Sequence, residues 1–309
     1  MRSCRAFGMP GAGGRRCRDV VAKLHQRCGL WCVAASSARQ LEGTGGVNMP
    51  WYFLPRSMAG VCLATWAALA LPVVVMAEVG SARLIILIAI AAATALAWEF
   101  AFSALRNRPP GLHGIATGLI VVILSPADIA IWQLVLMLSL GVLLADLVFG
   151  GRGFGFLSPA TVTLALVAFS FPQLDLMSPQ QTLAQASIPG MVLLVALGLI
   201  SWRVLLGTAL GFAAAVAALG QAVDPVGAVT ALAFGPTFLV ADPLAAAATN
   251  LGRLIYGALA GALCVVLTGG AVVTTEAVVF AALLATIFAP LIDHLVVLAH
   301  ARRRAVHHG

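Results

Sequence analysis

From residue 57 onward the chain is a succession of apolar runs broken by short polar or Gly/Pro-marked steps. Runs of about 18 or more apolar residues are long enough to cross a hydrocarbon layer roughly 30 Å thick. Hydropathy and breakers together predict about ten spans, near 57–78, 83–105, 112–124, 130–149, 158–171, 188–201, 204–221, 226–240, 253–271 and 276–298. The predicted fold class is an all-α polytopic membrane protein.

Several of these spans are short. Residues 112–124 close on Ser125-Pro126, and residues 226–240 contain Gly235-Pro236 and close on Asp242-Pro243. Each short span is followed by a long one and then by a second Pro-marked element, Ser158-Pro159-Ala160 in one case and Ala289-Pro290-Leu291 in the other. The two groups are five spans apart, an odd offset, so they would run through the membrane in opposite senses. That pattern predicts two inverted five-helix repeats, about 57–171 and about 188–298, with broken half-helices that meet near the midplane. Irregular backbone at that depth is tolerated only where protein or a water-filled cavity covers it.

Charge adds the orientation. Arg56, Arg106, Arg108, Arg152, Arg203, Arg253 and Arg302 to Arg304 all fall on one side of the predicted spans, and only Arg83 falls on the other. Glu78, Asp128, Asp175, Asp224 and Glu276 occupy the opposite loops. The positive-inside rule then puts both termini in the cytoplasm. The net charge of +7 is read as topology, since no basic stripe is interleaved with aromatics and no nucleic-acid partner is expected.

Composition agrees. Only 9% of residues are charged, against about a quarter in soluble domains. The domain reading is a basic extension over 1–48, a transmembrane region over 49–298 and a basic cytoplasmic tail over 299–309. The extension holds Cys4, Cys17, Cys28 and Cys32 and no apolar h-region, so it is not a signal peptide. It is expected to be disordered, or to precede the true start at Met49. Cys28-x3-Cys32 is at most half of a metal site, and no metal is assigned. Cys62 and Cys264 are expected to be packing residues.

Ionisable groups inside spans are functional hypotheses by default. Glu99 and Asp146 lie near helix ends, within reach of headgroup water. Asp242 sits at a break, where it either caps the following helix or faces a cation or cofactor. Asp293, beside His294 in the last span, is either structural or part of an ion pathway. Gly257-Ala-Leu-Ala-Gly261 is a close-packing step or ordinary membrane-helix glycine. Gly151-x-Gly153 lacks a strand–helix context and is a turn. No Ser-His-Asp, HExxH or paired-carboxylate set suggests hydrolysis, and no catalytic residue is assigned.

Several segments, in order, carry a family resemblance. They are Trp98-Glu99-Phe100, Thr117-Gly118-Leu119, Phe149-Gly150-Gly151-Arg152-Gly153, Ser158-Pro159-Ala160, Phe169-Ser170-Phe171-Pro172, Asp242-Pro243 with Thr249-Asn250-x-Gly252-Arg253, and Ala289-Pro290-Leu291-Ile292-Asp293. Over residues of about 90–297 the chain resembles the NQR2/RnfD/RnfE-type family. Its members are membrane subunits of Rnf-type electron transport complexes and of the sodium-translocating NADH:quinone oxidoreductase. The resemblance implies a multi-pass subunit of the cell inner membrane that passes electrons while Na+ or H+ moves. It would work as a non-autonomous part of a translocase, with other membrane subunits and a cytosolic electron-entry module as partners.

The resemblance also implies flavin, FMN or riboflavin. In the family one FMN is joined through a phosphoester to a Thr in a motif like D-x-x-S-G-A-T. Here that place reads Gln181 to Ser187, with Gln181 for the Asp and Ala184-Gln185 for the Ser-Gly. Ser187 is the position for such a bond on the external face; otherwise it is a helix N-cap before Ile188-Pro189. Ser158 stands where the family has Asn. A noncovalent flavin between half-helices would draw on Thr117, Ser158, Asp242, Thr249 and Asn250, and an ion pathway on Asp242 and Asp293. The alternatives are a stand-alone channel or transporter, or a cofactor-less scaffold, on the same fold.

Overall fold

The computed structural model describes residues 58–79, 82–106, 112–126, 128–149, 155–177, 181–220, 228, 233–242, 245–269 and 273–307. The basic extension and its four cysteines lie outside the described residues, as do the side chains of Arg106, Arg108 and Arg152. Among the described residues ten helical elements follow one another, and none is a strand. They are α1 (Met58–Val79), α2 (Ala82–Arg106), α3 (Gly114–Leu124), α4 (Ile131–Val142, continued by a π-helical turn Leu143–Leu147) and α5 (Pro159–Ser170). Then come α6 (Gln181–Ala196), α7 (Trp202–Leu219), α8 (the π-helical segment Gly235–Val240), α9 (Asn250–Thr268) and α10 (Thr275–His307). The protein is an all-α, multi-pass membrane protein: α1, α2, α7, α9 and α10 are each long and apolar enough to span a bilayer, and α3 to α6 are shorter apolar helices.

Helix packing repeats between the halves. In the first half α2 packs on α3 and α4, and α5 on α3 and α4. In the second, α7 packs on α8 and α9, and α10 on α8 and α9. Across the halves, α1 meets α6 and α5 meets α10, so first helix meets first and fifth meets fifth.

Burial divides the helices into wall and filling. In α2 only 17% of the spanning window is buried, so most of its surface is left for lipid or a neighbour. In α3, nine of eleven residues are buried, and in α8 all six are. A helix that is apolar on every side belongs in the interior, and α3 and α8 are both short and almost wholly buried.

Two boundaries differ from the sequence reading. The sixth helix begins at Gln181, not near 188. Leu183, Ala184, Ala186, Ser187, Gly190 and Leu194 form one buried face on that helix, and α1 covers it so closely that a Cβ on Gly190 would strike the Ala68 carbonyl oxygen. That face continues through Pro189, which costs one backbone bond but does not start the helix. The tenth helix runs through Pro290, as the predicted span does, but continues past 298 to His307. It runs 33 residues, about 50 Å at 1.5 Å per residue, and so extends past the hydrocarbon layer. Pro290 lies on its exposed face, where the ring displaces no packed neighbour.

Among the described residues, the crossing of α7 and α9 is a close backbone-to-backbone contact. Gly207 and Gly211 on α7 face Gly257 and Gly261 on α9. A Cβ on Gly207 would strike the Leu254 carbonyl, and one on Gly211 the Ala258 carbonyl. In return, Cβ atoms on Gly257 and Gly261 would strike the carbonyls of Val204 and Thr208. Gly257-xxx-Gly261 is therefore a close-approach site, and it has a partner of the same spacing. Backbone approach of this kind supplies the van der Waals contact that holds helices together in lipid. Cys62 and Cys264 are buried thiols within the packing, as expected.

Replacing Gly211 or Gly261 with Ala should each lower stability by about 1–3 kcal/mol, the usual range for overpacking. Ala209→Leu, on the exposed side of α7, should change it by no more than about 0.5 kcal/mol. Thermal inactivation of the detergent-purified protein measures both. Equal midpoints for all three variants would refute a backbone-to-backbone crossing.

Candidate functional site: the ends of the interrupted helices

Where a helix stops inside a membrane protein, its last amides and carbonyls need partners from the protein. The partners found here define the candidate site. At the start of α3, the Gly114 amide donates to Glu99 Oε1 on α2 at 2.8 Å. The partner of Glu99 is thus the first amide of the next helix, not headgroup water. At the end of α3, the Ser125 amide and hydroxyl both donate to the Val121 carbonyl, at 2.9 and 2.7 Å. The Leu124 carbonyl takes the Met177 amide at 3.1 Å. Met177 belongs to a non-helical strap over residues 171–177 that links the halves. The strap is tied to the start of α10: the Leu176 amide donates to Glu276 Oε1 at 3.1 Å, and the Thr275 hydroxyl donates to the Met177 carbonyl at 2.5 Å.

The end of α8 is closed differently. The Ala241 amide donates to the Pro236 carbonyl at 2.8 Å, a π-type bond, and the Tyr256 hydroxyl on α9 donates to the Val240 carbonyl at 2.8 Å. Tyr256 is fully buried. Beyond the break, the Asp242 carbonyl accepts the amides of Ala245 and Ala246 at 3.1 and 3.0 Å. Asp293 on α10 then holds the loop. Its Oδ2 accepts the Ala248 amide at 2.7 Å, and its Oδ1 accepts the Thr249 amide at 3.0 Å and the Thr249 hydroxyl at 2.6 Å. Thr249 Oγ1 in turn accepts the Gly252 amide at 3.1 Å and caps α9. The cap of that helix is therefore Thr249, where the sequence reading had considered Asp242. Arg253 Nε donates to the Ala247 carbonyl at 3.1 Å, and Arg203 Nη1 donates to Asn250 Oδ1 at 3.0 Å.

Thr249, Asn250 and Asp293 thus belong to one network, and half-buried Asp242 stands at its entrance. Thr117 and Ser158 lie in the first half, both 3% exposed. Ser158 is the N-cap residue of α5 but makes no capping bond with its side chain. Pro159 has no N–H, and the first turn of α5 is buried. Thr161, with no exposed surface, has a hydroxyl without a hydrogen-bond partner. Thr163, two residues on, returns its hydroxyl to the Pro159 carbonyl at 2.7 Å. The start of α5 is therefore a buried helix terminus with donor capacity to spare.

Ser187 does not occupy a loop or an N-cap. It lies inside α6 with no exposed surface, and its hydroxyl donates to the Leu183 carbonyl at 2.7 Å. A phosphoester at that oxygen needs room and access that the contact with α1 does not leave. A small cavity between α7, α8, α9 and α10, bounded by Thr208, Phe212, Pro236, Val240, Cys264 and Val278, measures about 10 Å³ and has room for a single water molecule, not an isoalloxazine.

Sequence reasoning missed Tyr256, Glu276, Arg203 and Thr161 as site residues. Tyr256 had a signal, being one of two tyrosines in the chain. A phenol in a membrane helix needs an acceptor.

The class defined by this geometry is a multi-pass membrane protein in which two of the short helices, α3 and α8, are buried and end on partners from other parts of the chain. A sequence profile narrows the class: the NQR2, RnfD, RnfE family matches residues 48–179 and 176–301. The chain belongs to that family. Among its relatives is the B-type subunit of the Na(+)-translocating NADH-quinone reductase of Pseudomonas aeruginosa (strain LESB58), 28% identical over 267 residues, covering 69% of this chain and 66% of the relative. The corresponding subunits of Ectopseudomonas mendocina (30% over 264 residues, covering 67% and 65%) and Yersinia pestis (27% over 266 residues, covering 67% and 64%) are also similar. The chain spans just under two thirds of the length of these relatives.

Asp293→Ala strands three donors at once, whereas Asp293→Asn keeps one acceptor. The alanine variant should lose about 2–4 kcal/mol of stability and the asparagine variant about half of that. Proteolysis at the 245–249 loop should rise in the same order. An unchanged loop in Asp293→Ala would show that the carboxylate does not hold it.

Proposed function

We propose that this chain is the membrane subunit of an ion-translocating electron transport complex, and that it holds a noncovalent flavin, FMN or riboflavin, at the start of α5. The single observation that supports this most is the buried, uncapped first turn of α5 with the unpartnered Thr161 hydroxyl. A flavin ring carries several carbonyl and ring-nitrogen acceptors on an apolar plane. The Ser158 and Thr161 hydroxyls are donors for such acceptors, and because both are buried the α5 start would have to part from its neighbours to admit the ring. Bound there, the flavin would supply the electron-transfer chemistry. The protein's own residues do the rest: the α5 terminus orients the ring, Thr117 on the neighbouring α3 adds a hydroxyl, and the buried helices keep water away. Covalent attachment at Ser187 is not part of this reading, because that hydroxyl is engaged inside α6.

The coupling ion, Na+ or H+, is assigned to the interrupted second half, with Asp242 and Asp293 as its acidic groups and Thr249 and Asn250 beside them. The alternating arginine pattern supports cytoplasmic termini and halves of opposite orientation in the inner membrane. Other membrane subunits and a cytosolic electron-entry module are the expected partners. The departures around Ser187 favour one other reading, a transporter on the same scaffold without redox chemistry.

Absorption spectroscopy of the protein co-expressed and purified with its partners separates the two. Flavin bands at about one per chain are expected. Ser158→Leu combined with Thr161→Val should reduce them about tenfold, the loss of one or two buried hydrogen bonds. Ser187→Ala should leave them unchanged, with no covalent flavin fluorescence in denaturing gels. A flavin-free wild type would overturn the electron-carrying role, and full occupancy in the double variant would overturn the α5 site.

A further inference from the structure

Arg83 is the one basic residue on the side of the predicted spans that the positive-inside rule leaves to acids, and its contact suggests why the position is basic. It is the second residue of α2, and its Nη2 donates to the Ile129 carbonyl at 2.9 Å. Ile129 directly precedes the N-cap of α4. Arg203 is likewise the second residue of its helix, α7, and its Nη1 donates to Asn250 Oδ1 at 3.0 Å. Asn250 is the first residue of α9. In chain order α2 and α7 are the second helices of their halves, and α4 and α9 the fourth. The two bonds reach across 46 and 47 residues. One interaction has thus been made twice, at matching places in the two halves.

We propose that Arg83 and Arg203 are equivalent latches, each fixing the start of the fourth helix of its half to the start of the second. Each latch sits where the chain enters the fourth helix of its half, beyond residues 128–130 in the first half and beside residues 245–249 in the second, where Asp293 also holds Ala248 and Thr249. The end of the preceding short helix is held from elsewhere, at Leu124 by the strap and at Val240 by Tyr256. A guanidinium suits the task. It stays charged, and its rigid fork of donors reaches a carbonyl or an amide oxygen from a helix end. In the first loop the neighbouring contacts are local: the Ile129 amide bonds the Pro126 carbonyl, and Gln133 Oε1 takes the Ala130 amide at 2.9 Å. Arg83 is the tie in that set that comes from another helix. The opposite-face placement of the two latches rests on the inverted orientation proposed above; the latches themselves do not.

Single cysteines at Asp128 and Ala248, both exposed, report on the two loops. The full-length protein in membrane vesicles is treated with a membrane-impermeant maleimide from either side, and peptide mass spectrometry reads the labelling at each introduced cysteine. Arg83→Gln should raise the labelling rate at Asp128→Cys about tenfold, the scale of one charge-assisted hydrogen bond, and leave Ala248→Cys within about twofold. Arg203→Gln, made together with Asp293→Asn to weaken the carboxylate's own tie on Ala248, should do the reverse. Asn250→Ala should reproduce Arg203→Gln, whereas Asn250→Asp, which keeps the acceptor, should not. Rates unchanged in both arginine variants, or raised equally at both loops, would overturn the latches. If each variant loosens its own loop but both cysteines are reached from the same side, the latches stand and the inverted orientation fails.

Discussion

An unpaired backbone amide or carbonyl inside a membrane protein has no water to fall back on, and this structure is arranged around that constraint. Two helices, α3 and α8, end within the bundle. Each is buried on nearly every side, and each hands its last carbonyl, Leu124 or Val240, to a group outside the helix. Long helices face lipid because their backbones are satisfied internally. The strap over 171–177, the Tyr256 phenol, and the carboxylates of Glu99, Glu276 and Asp293 all meet amides or carbonyls that a continuous helix would have paired by itself.

The same view explains how the acidic residues are used. Glu99, Glu276 and Asp293 accept from backbone amides. Amide donors can stabilise a carboxylate where a cation would be costly to bury. The second half is therefore closely tied at its break. The first half, by contrast, leaves the start of α5 with Ser158 not capping and Thr161 without a partner. A protein of this family that binds a planar, acceptor-rich cofactor would be expected to place it where donors remain.

The order of the ten helical elements and the shortness of α3 and α8 were legible in the sequence because hydropathy and Pro-marked stops are local signals. The start of α6 was not, because Pro189 imitates a helix beginning and the buried face that overrides it is set by α1. Intramembrane acids could be singled out by their cost, but their partners could not, since an amide has no letter of its own in a sequence. The role of Asp293 became visible only when the loop around Thr249 was seen against α10. Gly257 and Gly261 were noticed, while Gly207 and Gly211 were lost among 31 glycines.

The glycine crossing of α7 and α9 carries a consequence for how this sequence can change. At each of its four positions the obstacle to a side chain is a backbone oxygen on the opposite helix. A clash between two side chains can be relieved by shortening the other one. A carbonyl cannot be shortened. Substitution at any of the four therefore has no compensating partner to mutate, and the only relief is for the two helices to move apart along their whole contact. These positions should drift neither singly nor in pairs, so comparison of relatives should find them fixed yet without covariation, a pattern that contact inference from correlated substitutions would overlook.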